Sequence, residues 1–178
     1  MGRIPSAGRS KLIGMTEQGE NIERAAFAAL MRWTDEHGRD RHGELRHGGR
    51  TSLGVAWDVF GTRDPDPGQL DEVCDALESL ERVGVAIRVD ASSDGRPERA
   101  LYIGPSSTDE GVAYCHERAA HADRVAELWR QAPLEDADAA ADAAERDAAE
   151  WRAAAVRWRD ADAVRAEFRA AAGAALAS

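Results

Sequence analysis

Ile22, Ala26, Leu30 and Trp33 recur at intervals of four, four and three. That spacing predicts a helix that buries one face and ends near Gly38. In TSLGVAWDVFG, the residues Leu53, Ala56, Trp57 and Phe60 share a helical face. Ser52 is placed to cap this short helix and Gly61 to end it. Val55, Trp57 and Val59 also alternate, so a short strand competes for the same stretch. A third helix is announced by its start. Asp66 can cap, Pro67 takes the first helical position and Gln69 can close a capping box. Leu70, Val73, Leu77 and Leu80 follow at three, four and three, and Gly84 is the natural stop. Val85, Ile87 and Val89 then alternate with polar or small residues. A turn SSDGRP follows, and Leu101 and Ile103 alternate with Ala100 and Tyr102. This is the pattern of a β-hairpin.

From Ala113 onward the pattern changes. Alanine supplies 26 of 66 residues, with Pro133 the only proline and Gly173 the only glycine. Alanine is the strongest helix former. The expectation is a helix over 111–131, a break at Ala132-Pro133, and one long helix over 134–172, about 58 Å at 1.5 Å per residue. Ala144, Trp151, Trp158 and Arg165 repeat every seven residues, and Asp147, Ala154, Ala161 and Phe168 lie three further on. That seam suits a coiled coil or helical hairpin. Trp129, Trp151, Trp158 and Phe168 are therefore the expected packing or dimerisation residues, with a homodimer formed through the C-terminal helices. The fold class is mainly α with a small β-hairpin. Residues 1–18 form a flexible basic tail, 19–104 a compact unit, and 111–178 an alanine-rich helical region for dimerisation or interaction.

The helix, short helix, helix and hairpin order resembles a winged helix-turn-helix domain. The stretch LDEVCDALESLERVGVAIRVDASSDGRPERALYIG resembles the third helix and wing of MarR-like and PadR-like bacterial regulators. Leu77, Leu80, Gly84, Val85, Asp94, Gly95 and Arg96 carry the match. The resemblance covers 19–104. It implies DNA binding, with the third helix in the major groove.

Charge changes that picture. The chain carries −10 over 178 residues. The charge runs +2 over 1–50 (nine basic, seven acidic), −8 over 51–112 (five, thirteen) and −4 over 113–178 (nine, thirteen). The third helix presents Asp71, Glu72, Asp75, Glu78 and Glu81, and only Arg82 is basic. Acidic side chains repel phosphates. The basic groups lie elsewhere, in the loop (Arg39, Arg41, Arg46, Arg50) and around the wing (Arg88, Arg96, Arg99). A wing arginine can enter the minor groove and a basic loop can clamp backbone. Two functions follow. One is a dimeric transcriptional regulator that contacts double-stranded DNA through Arg39, Arg41, Arg46, Arg50, Arg82, Arg88, Arg96 and Arg99. The other is a winged-helix protein-interaction module, a non-enzymatic subunit of a larger complex.

Other chemistry is thin. His37, His42 and His47 sit five apart in or beside the glycine-rich loop, a spacing that shares no helix face, and they read as surface histidines. Cys115, His116 and His121 could join Cys74 around a metal only if the tail folded back. Core packing is the expectation for Cys74. There is no G-x-S-x-G, phosphate loop or GxGxxG, so the reading is non-enzymatic, without cofactor or metal. Two cysteines make no disulfide framework. No apolar run is long enough for a membrane span and the N-terminus lacks a signal-peptide core, so the expected location is the cytoplasm.

Overall fold

A computed structural model describes residues 17–46, 48–90 and 96–176. Most of the expected basic tail, together with His47 and with Asp94 and Gly95 of the expected wing, lies outside the described residues. The chain is a mainly helical fold with a small, open, three-stranded sheet and long C-terminal helices. The order is α1 (Glu17–His37), β1 (Arg50–Thr51), α2 (Ser52–Phe60), α3 (Pro67–Arg82), β2 (Ile87–Asp90), β3 (Leu101–Ile103), α4 (Thr108–Gln131), α5 (Ala137–Asp160) and α6 (Asp162–Leu176). No helix among the described residues is long and apolar enough to cross a membrane.

The local signals act largely as read. In α3, Gln69 N–H donates to Asp66 Oδ1 (2.9 Å) and Gln69 Oε1 accepts from Asp66 N–H (3.0 Å), a closed capping box. Gly61 ends α2 at φ 65° and Gly84 turns the chain after α3 at φ 77°, in the left-handed region open to glycine. Residues 55–59 are helical and not a strand. The cap of α2 is Thr51 rather than Ser52. Thr51 Oγ1 accepts from Gly54 N–H at 3.0 Å, because the Ser52 hydroxyl is buried and turned toward Ala100 O at 3.4 Å.

The sheet runs β1-β3-β2, both pairs antiparallel. Arg50 faces Tyr102 and Thr51 faces Leu101, while Ile87 faces Ile103 and Arg88 faces Tyr102. The two-residue β1 had no alternating signal to announce it. The stretch Pro97–Arg99 before β3 is a single 3-10 turn.

The sheet separates two helical layers. One face joins Phe27, Leu30, Val55, Val73, Leu77, Leu80, Val85 and Tyr102 into a core under α1, α2 and α3. The other joins Ile87, Val89 and Ile103 to Tyr114, Cys115, Ala119, Trp151, Ala155 and Trp158 on α4 and α5. Thr34 ties α1 to the end of the sheet. Its buried hydroxyl donates to Leu30 O (2.8 Å) and accepts from Gly104 N–H (3.0 Å).

The tail folds back on its own chain. Helices α4 and α5 form an antiparallel helical hairpin, marked by cross-links between Asp123 and Arg152 and between Arg130 and Glu145, while Thr108 at the start of α4 donates to Asp162 at the start of α6. The α5 seam is Ala137, Ala141, Ala148, Trp151, Ala155 and Trp158, all buried. Its second position therefore lies four residues beyond the first (Ala148, Ala155), not three, and Asp147 is exposed. Alanines on both helices (Ala119, Ala122 and Ala126 on α4) let the backbones approach closely. The expected single helix over 134–172 is interrupted at Ala161. There α6 turns away from α4 and lies against α1, with the Phe168 and Phe27 rings 5.4 Å apart. Phe168 thus leaves the hairpin seam and completes the first core.

Arg165 locks this bend. It stands at the same heptad position as Trp151 and Trp158 and is fully buried. Its guanidinium lies 4.0 Å from the Trp158 ring and donates to Gly84 O (3.0 Å), Thr108 Oγ1 (2.8 Å) and Trp158 O. Burial pulls its pKa down and Asp162 opposes that pull. Two glycines make room around it. A Cβ on Gly84 would stand 2.5 Å from Arg157 O, and one on Gly111 would stand 2.2 Å from the Trp158 indole nitrogen.

Candidate functional site

Two surfaces concentrate charge. The first is the outer face of α3. The apolar period fixed by Val73, Leu77 and Leu80 turns Asp71, Glu72, Asp75 and Glu78 outward, and all four are exposed. Arg82, also exposed, is the single cation of the helix.

The second is a groove where the C-terminal end of α3, the strand β2 and the helix α5 meet. A cleft of about 250 Å³ is lined by Glu81, the run Ala86–Val89, Asp147, Glu150, Trp151 and Arg157 among others. A shallower cleft of about 440 Å³ continues it past Glu78 and Arg82, sharing Glu81, Arg88 and Arg157. Glu81 is half-buried. Burial pushes its carboxyl up, against the pull of Arg88 and Arg157. Arg88 lies 6.0 Å from the Tyr102 ring, and its buried Nε has no hydrogen-bond partner.

The arginines expected to meet DNA differ in their surroundings. Arg39 is an internal strut. It donates to Gly43 O (3.0 Å) and Glu110 Oε2 (3.2 Å) and pairs with Asp35 at 3.3 Å. Burial works to raise the Glu110 carboxyl. Arg39 and the Ser106 N–H (2.6 Å) more than offset it and hold that carboxyl below the usual range. Arg50 runs over Gly54, donating to Gly54 O (3.0 Å) and pairing with Asp58 (3.2 Å), with the Trp57 ring 6.0 Å away. Arg41, Arg46, Arg82, Arg96 and Arg99 are exposed. A third cleft, of about 540 Å³, takes in Arg46 but also Asp40, Glu44, Glu110 and Glu117.

The aromatic residues expected to pack or to dimerise divide between the interior and the surface. Trp158 is 1% exposed and donates its indole N–H to Ser107 O at 3.3 Å. Trp151 is buried with its ring edge-on to Tyr114 at 6.0 Å. Both are covered by their own chain, so their burial needs no second protomer. Trp129 is 37% exposed and shares the tip of the helical hairpin with the exposed Leu128 and Leu134.

Cys74 lies on α3 and Cys115 on α4. Both are buried, and burial pushes their thiols up to about 11 and about 12. Thiolate chemistry is suppressed at such values. His37 stacks beside Trp33, and His42, His116 and His121 are exposed. Among the described residues no group of His, Cys, Asp and Glu is placed to hold a metal. The groove along β2 was not foreseen, because it joins residues about 70 positions apart with no shared motif.

The chain matches no family model, no curated protein and no solved structure.

Proposed function

We propose that residues 19–104 are a winged helix-turn-helix module that docks a basic protein partner on the acidic face of α3, as a non-enzymatic subunit of a larger assembly. Two features support the fold part. The order helix, strand, helix, helix, strand, strand is that of the module, and so is a first strand paired with the third. The observation that carries the function is the charge of α3. Asp71, Glu72, Asp75 and Glu78 all face solvent on the helix that, in a DNA reader, would enter the major groove. Phosphates would be repelled there, whereas lysines or arginines of a protein would be drawn to it.

The competing reading is a DNA-binding regulator. It keeps the exposed Arg41, Arg46 and Arg82, but Arg39 and Arg50 are already engaged by Glu110 and Asp58. One titration separates the two. Labelled duplex DNA and a labelled lysine-rich polypeptide are each titrated with the full chain at low and at physiological salt. Docking predicts that the polypeptide binds and that Asp71→Asn with Asp75→Asn weakens it. Duplex binding that persists at physiological salt, with a slope of several counterions, would overturn the docking reading.

A further inference from the structure

We propose that the partner enters as an extended segment that adds a strand to the free edge of β2, with basic side chains on both of its faces. The inference rests on the docking reading above and says where and how the basic chain is held. The sheet order places β2 at an edge, and among the described residues it pairs only with β3. An edge strand presents unpaired N–H and C=O groups to any extended chain beside it. Here four successive residues of that strand region, Ala86–Val89, line the groove.

Each of the two layers that flank this edge brings a pair of carboxylates to the groove. Glu78 and Glu81 come from α3 on one side of the sheet, and Asp147 and Glu150 from α5 on the other. Successive side chains of a strand point to opposite faces. A segment paired to β2 therefore sends neighbouring residues alternately toward the α3 carboxylates and the α5 carboxylates. Adjacent lysines or arginines would each meet an acid. Arg82, Arg88 and Arg157 also line the groove, and Arg88 and Arg157 pull the Glu81 carboxyl down against its burial. They leave room for an acidic residue of the partner among its basic ones.

The test uses the full chain and fluorescence anisotropy. The probe is a capped eight-residue peptide of valine and lysine in which neighbouring lysines face opposite sides. Two further peptides carry N-methyl groups on the odd or on the even amides. A strand bonds to its neighbour through alternate residues, so one methylated peptide should lose at least about tenfold in affinity and the other should stay close to the parent. Glu78→Gln with Glu150→Gln should weaken the parent peptide severalfold more than Asp71→Asn with Asp75→Asn, which lie farther along α3. If both methylated peptides bind like the parent, or both variants weaken it equally, strand addition is wrong while acidic docking survives. If the chain binds lysine-rich polypeptide but not the peptide, this inference alone falls. Binding of neither removes both.

Discussion

Replacing Arg165 with methionine removes a side chain of α6 that touches α4, α5 and the turn after α3 together. Gly84 O and Trp158 O lose their donor in a site with no exposure. An orphaned buried acceptor costs about 1–3 kcal/mol, so the two together cost about 2–6. Methionine fills most of the vacated volume, which keeps the cavity contribution small. Relief from burying a guanidinium, whose Nε has no partner, returns part of the loss. The exposed Asp162 adds little, because its pairing is screened. The net expectation is a loss of about 2–4 kcal/mol, or roughly 5–15 °C in Tm for a chain of this length. Urea and thermal unfolding followed by circular dichroism measure it. Arg165→Lys should fail to restore stability, since an ammonium cannot reproduce the planar fork that serves four acceptors. A methionine variant within about 1 kcal/mol of the parent would refute the view that this residue locks the helical layers.

Other outcomes follow from the same contacts. Gly111→Ala forces a methyl group onto the Trp158 indole and should destabilise by about 1–3 kcal/mol, visible as a change in tryptophan emission before global unfolding. Trp158→Ala should cost about 3–5 kcal/mol with a midpoint independent of protein concentration; a concentration-dependent midpoint would place that ring between protomers. Thr34→Val leaves Gly104 N–H without its acceptor and should cost about 1–3 kcal/mol in urea unfolding. The thiols rise from an ordinary 9.0 to about 11 and about 12, and the Tyr102 and Tyr114 phenols from 10.0 to about 12. The folded state holds these protons more tightly than the unfolded one. Their contribution is therefore complete below pH 9 and is lost as pH rises from there toward about 12. A pH series of unfolding midpoints showing no decline in that window would contradict their burial.

Elements with local causes were legible in the sequence. The α3 capping box needs only residues 66–69, and the ends of α2 and α3 need only Gly61 and Gly84. What escaped depended on distant partners. The strand β1 has two residues and exists because Tyr102 and Leu101 lie beside it. The interruption at Ala161 has no proline or glycine to announce it; α6 turns because Phe27 offers Phe168 a place. A heptad count can mark position 165 as facing inward, but not that an arginine there finds carbonyls on two other elements. The site divides along the same line. The acidity of α3 could be read from helical spacing alone, while the groove beside β2 required α5 to be folded against it. Among the loop arginines, the pairing of Arg39 with Glu110 and of Arg50 with Asp58 has no signal in sequence spacing, because the first partner lies 71 residues away and the second depends on the fold of α2.

The return of α6 to α1 also dictates the order in which this protein can be made. Phe27 waits for Phe168, so the first core stays open until 141 further residues have been synthesised. The outward face of the sheet, Ile87, Val89 and Ile103, waits for Trp151 and Trp158. On the ribosome the N-terminal segment therefore emerges with apolar surface on both sides, the condition under which nascent chains aggregate or recruit chaperones. Contacts of such long sequence separation also slow folding. A fragment cut at Gly104 would keep its helices and hairpin but expose the sheet to water, so the unit that resembles a domain in sequence is only half of the unit that folds.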